Sequence, residues 1–218
     1  MSRRLAGWLT FVGVLAALNY TARFAVEDSG TTSSDFFYRW DTFVGGLVQV
    51  AVMSGILYWI VRGGPPAWVL AWRRPRSWGA AAGWMVLVLV GILILGAATN
   101  PLLQPGEEQG YVPDRWRPDD AAPFAANLAL TALAVPVVEE LTFRGAGYSL
   151  LVRFGRPIAV VGTAILFGVG HGLVLALPIL VAFGIGLAWL RGRTNSVFPG
   201  MILHGTFNAF AVLLSVFA

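Results

Sequence analysis

The chain has 218 residues, of which 57% are hydrophobic and 12% charged, with a net charge of +4. Soluble domains carry about 25% charged residues, so a soluble or disordered protein is excluded and the excess apolar surface must face lipid. There is no cysteine, which excludes disulfides, cysteine-zinc sites and thiol catalysis, and the basic balance does not call for nucleic acid, because basic residues in a membrane protein set its orientation.

A membrane-crossing helix needs about 20 mostly apolar residues. In chain order, such stretches lie near 5–22, 42–62, 79–99, 124–148, 157–173, 175–190 and 197–217. The expected fold is therefore all-α, a polytopic membrane bundle of about seven transmembrane helices. All the basic residues are arginine, and they sort by alternate loops. Arg3 and Arg4, then Arg62, Arg73, Arg74 and Arg76, then Arg153 and Arg156, then Arg191 and Arg193 fall on one side. The opposite loops carry Arg23, Arg39, Arg115 and Arg117 with Glu27, Asp28, Asp35, Asp41, Glu107, Glu108, Asp114, Asp119 and Asp120. The positive-inside bias places the N-terminus in the cytoplasm and the C-terminus outside. The longest connection, 100–123, is polar and proline-bearing and reads as irregular. The expected location is a bacterial plasma membrane, with the lipid bilayer as an obligatory partner.

Ionisable groups within membrane helices are costly and mark function. Five stand at such positions: Glu139, Glu140, Arg144, His171 and His204, and the two histidines are the only ones in the chain. Glu140 and Arg144 are four apart, so they share a helix face and can pair. Glu139 points about 100° away and has Phe143 at its i+4 position, which leaves it free to act. Pro136, just before, cannot donate to the Ala132 carbonyl, so the helix should bend there and admit water. His171 lies in a glycine-rich stretch, Phe167-Gly168-Val169-Gly170-His171-Gly172. His204 and Asn208 are one helical turn apart and face one way. Ser196 can cap their helix, with Pro199 in its first turn.

A carboxylate, two imidazoles and an amide in a wet membrane cavity suit hydrolysis. A glutamate can take a proton from water, and imidazole and amide donors can stabilise an oxyanion. Alternatively, Glu139, His171 and His204 supply three ligand types fit for a catalytic zinc with an open fourth position. A transporter or proton relay would also place Glu, His and Arg at depth, and a non-catalytic membrane immunity or scaffold protein is a further alternative.

Glu139-Glu140-Leu141-Thr142-Phe143-Arg144, then Phe167 with His171, then His204 with Asn208, in that order on successive helices, resemble the CPBP family. These are the type 2 CAAX prenyl endopeptidases and their bacterial relatives, the bacteriocin-processing and abortive-infection-like immunity proteins. The resemblance covers about 124–210. It divides the chain into N-terminal membrane helices with an outer loop (1–123) and a catalytic membrane domain (124–218). It implies an intramembrane endopeptidase acting on membrane-associated or prenylated-type peptides. Glu139 and His171 would activate water, and His204 and Asn208 would stabilise the oxyanion. Glu140, Arg144 and Phe167 would support them. The family is commonly called metalloprotease, which keeps both zinc-bound water and glutamate-activated water open.

Overall fold

A computed structural model describes residues 2–29, 36–103, 113 and 115–217. The loop acids Asp35, Glu107, Glu108 and Asp114 lie outside the described residues, as do the side chains of Glu27 and Asp28. Regular structure among the described residues is entirely helical. Three helices come first: α1 (Arg3–Ser29), α2 (Trp40–Val61) and α3 (Trp78–Leu103), with a short helical turn, Pro66–Val69, between the last two. The charged stretch is composite. It runs through α4 (Ala121–Ala129), a π turn (Leu130–Ala134), α5 (Val135–Glu140), a second π turn (Leu141–Gly147) and α6 (Tyr148–Leu151). The chain then forms α7 (Arg156–Gly170), α8 (Leu177–Thr194) and α9 (Phe198–Phe217).

Each expected apolar stretch is helical, but not each is long and apolar enough to count as a membrane span by length and composition. Among the described residues, five stretches are long and apolar enough to cross a membrane: Arg3–Ala25, Trp40–Val61, Trp78–Leu103, Pro118–Phe154 and Phe198–Phe217. The fifth and sixth expected spans, α7 and α8, are not among them. The 15 residues of α7 reach about 22 Å at 1.5 Å each, short of a hydrocarbon core about 30 Å thick. Helix α7 also ends at Gly170, before the expected limit, so His171 caps it rather than lying within it. Non-helical backbone at membrane depth is tolerated where it is enclosed by protein or lines a cavity, and the segment after Gly170 does line one.

The arginines that alternate loops place on one side meet at one end of the bundle. Arg4 donates to the Arg62 carbonyl at 2.9 Å and Arg73 to the Asn195 carbonyl at 2.9 Å. At the other end, Asn127 donates to the carbonyls of Phe37 and Arg39, at 3.1 and 3.0 Å. Helices α2 and α3 expose Val44, Val48, Val52, Val86, Leu87 and Ile94, the apolar surface that composition assigns to lipid. The core is built from Trp8, Phe143, Phe167, Leu187 and Leu190. Trp8 ties α1 to the composite helix by donating its indole N–H to the Thr142 carbonyl at 2.9 Å.

Pro136 is accommodated by a change of register. In the first π turn the Val135 N–H bonds the Leu130 carbonyl, five residues back. Continued by one residue, that register would pair position 136 with Thr131, and proline has no N–H to give. The Asn208 side-chain amide, from α9, donates to the Thr131 carbonyl at 3.1 Å instead. The neighbouring Ala132 carbonyl faces Gly205, where a Cβ would collide with it. Only glycine lets α9 approach this closely. Helix α9 starts as its sequence suggests, with the Ser196 hydroxyl accepting from the Phe198 N–H at 3.2 Å and Pro199 following.

Candidate active site

The two adjacent glutamates take different environments. Glu140 and Arg144 are both fully buried and pair at 2.8 Å. Arg144 also donates to the Gly184 carbonyl at 3.2 Å, and its guanidinium lies 4.2 Å from the centre of the Phe167 ring. The Oε2 of Glu140 and the Nε of Arg144 have no hydrogen-bond partner among the described residues. Glu139 has a side chain 17% exposed and, with its i+4 neighbour Phe143, lines a cavity of about 290 Å³.

His171 lines the same cavity. Its Nδ1 is 2.7 Å from the Phe167 carbonyl. A carbonyl only accepts, so Nδ1 carries the proton, and in the neutral ring Nε2 keeps its lone pair. The stretch holding His171 is fixed from α1: Asn19 donates to the Gly170 carbonyl at 2.6 Å. Gly172, at φ +69°, packs against the Asn19–Tyr20 backbone, a conformation and a closeness that disfavour any side chain.

His204 is buried between the carboxylates. Its Nδ1 is 3.2 Å from Glu140 Oε1, and its Nε2 is 3.6 Å from Glu139 Oε2. The first is a hydrogen bond, and the second lies beyond ordinary hydrogen-bond reach. Glu139 thus lacks a partner on its own helix but meets an imidazole across the bundle. Phe167, fully buried, touches both imidazoles edge-on, with ring centres 4.5 Å from His171 and 5.6 Å from His204. Asn208 is held by Thr131 through one of its two amide hydrogens. Neither His204 nor Asn208 lines the Glu139–His171 cavity.

The structure therefore joins Glu139, Glu140, Arg144, Phe167 and His204 in one contact network. It brings His171 into that network through Phe167 and sets Asn208 one turn away, against the π turn. For zinc the fit is poor: no group of three or more His, Asp or Glu side chains able to hold a metal ion occurs among the described residues. Both nitrogens of His204 face carboxylates, and His171 touches Phe167 rather than His204. Sequence reasoning missed Asn19 and Gln49, which line the cavity from α1 and α2. Their signal was available, as each is a polar amide inside an otherwise apolar span.

A family model described as Rce1-like, type II CAAX prenyl endopeptidase, matches residues 121–210. This segment is similar to that family. The matched segment contains Glu139, His171, His204 and Asn208. Neither the curated proteins nor the solved structures gave a match to the chain. With its long apolar helices, the chain is an integral membrane protein.

Proposed function

We propose that the chain is an intramembrane endopeptidase of a bacterial plasma membrane, its N-terminus in the cytoplasm, that cleaves membrane-associated or prenylated-type peptides with glutamate-activated water. One observation carries the proposal: Glu139 and His171 line the same cavity, and the Nδ1 of His171 is engaged by the Phe167 carbonyl, which leaves Nε2 available. Glu139 takes a proton from water held against His171 Nε2. The resulting hydroxide attacks the scissile carbonyl carbon. Protonated His204, kept in place by Glu140, and the second amide hydrogen of Asn208 serve the oxyanion of a substrate that reaches past Glu139 beyond the cavity. Collapse of the tetrahedral intermediate breaks the C–N bond, and the Glu139 carboxylic acid returns its proton to the leaving amine. The mechanism needs no metal. The test is cleavage of a fluorogenic membrane-peptide library by Glu139→Gln, which keeps the shape and removes the base. Activity should fall at least about a hundredfold, the scale of a general base, with unchanged melting. An active Glu139→Gln beside a stable but inactive Glu140→Gln would reverse the assignment.

A further inference from the structure

At the arginine-rich end of the bundle, away from Glu139, lies a second cavity of about 410 Å³. Its lining includes Arg76, Arg156, Arg191 and Arg193, with Tyr148 and Asn195, and no acidic residue. Counter-charges are missing from the surrounding sequence as well: no Asp or Glu occurs in 42–106 or 141–218. Four like charges around one space repel each other unless an anion joins them. Three are exposed at the rim, while Arg191 is buried at the floor. Arg191 is held there by the Arg144 carbonyl at 3.2 Å, by Asn195 Oδ1 at 3.0 Å and by the face of Tyr148 at 5.0 Å. Those bonds use Nε and Nη1. Its Nη2 makes no bond to the protein among the described residues.

A smaller cavity of about 250 Å³ adjoins this one. It shares Tyr148, Arg156, Gly192 and Arg193 and adds the apolar surfaces of Val160 and Trp189. A basic compartment beside an apolar one suits an amphiphile. Guanidinium forks match phosphate oxygens, and anionic headgroups gather at the cytoplasmic face of membranes. We infer that this cavity is a binding site for a phosphate-bearing anion, the headgroup of an anionic phospholipid, with Arg191 at its floor and Arg76, Arg156 and Arg193 closing over it.

The purified full chain in detergent should be titrated by calorimetry with dioctanoyl-phosphatidylglycerol, dioctanoyl-phosphatidylcholine and inorganic phosphate. The anionic lipid should bind at least about tenfold more tightly than the zwitterionic one. Arg156→Gln combined with Arg193→Gln should weaken it by at least about tenfold, the scale of losing charged hydrogen bonds. If that pair melts early, Arg76→Gln, in the loop before α3, provides the same comparison. Saturation by inorganic phosphate alone, lost in the same variants, would support the phosphate site and assign it a soluble source. Equal binding of the two lipids with no phosphate binding, or unchanged binding in well-folded variants, would overturn the inference.

Discussion

Replacing Glu140 by glutamine removes a charge from a place without solvent. Its Oε1 accepts from Arg144 at 2.8 Å and from His204 at 3.2 Å, and its Oε2 packs against Gly200 with no donor among the described residues. The amide cannot neutralise Arg144 and adds two N–H groups. Removing one partner of a buried ion pair costs about 3–5 kcal/mol. Arg144 keeps the Gly184 carbonyl and the Phe167 face, so the cost belongs near the lower end, about 3 kcal/mol. At about 2–4 °C per kcal/mol for a chain of this size, apparent melting should fall by about 6–12 °C. The assay is scanning fluorimetry in detergent on wild type, Glu140→Gln, Arg144→Met and the double change, with peptide cleavage alongside. The double change removes both charges and should regain at least half of the loss, while Glu140→Gln retains partial activity. A Glu140→Gln protein melting within about 2 °C of wild type, or a double variant weaker than either single one, would refute the reasoning.

The amide of Asn208 replaces the N–H that Pro136 lacks, so the two positions should couple. Asn208→Ala should lower stability by about 1 kcal/mol through an unsatisfied carbonyl, and by less in a Pro136→Ala background, measured as a double-mutant cycle of melting temperatures. Because Glu139, His171 and His204 do not converge as ligands, protein treated with chelator should keep full peptidase activity; loss of activity restored by added zinc would contradict this.

The helices and the Glu140–Arg144 pair were legible because both follow from local spacing: apolar runs of span length, and an i,i+4 pair. The cap at Ser196 and Pro199 was legible for the same reason. The π turns were not, because a shift from four to five residues leaves the apolar pattern almost unchanged. Pro136 announced a lost hydrogen bond, but not that Asn208, 72 positions further on in the chain, would supply the donor. His204 stood out in the sequence by its depth, yet its position between two carboxylates depends on how α9 packs against α5. His171 was expected within a helix because its glycine-rich surroundings are apolar. The chain leaves the helix at that residue, where Gly172 takes a positive φ and Asn19 accepts the task of donating to the last carbonyl. The arginine asymmetry was read for orientation alone, since nothing local in the sequence says that four of those loop residues surround one space.

Half of the residues lining the Glu139–His171 cavity come from α1 and α2, Asn19, Arg23, Gln49 and Met53 among them, outside the segment that matches the family model. The same α1 anchors Thr142 through Trp8 and Gly170 through Asn19. Glu139 and His171 and the wall opposite them thus have separate origins in the chain. Cut down to the matched segment, the protein would keep Glu139 and His171 and lose half of the vessel around them. Substitutions confined to α1 would reshape the cavity while leaving Glu139 and His171 in place.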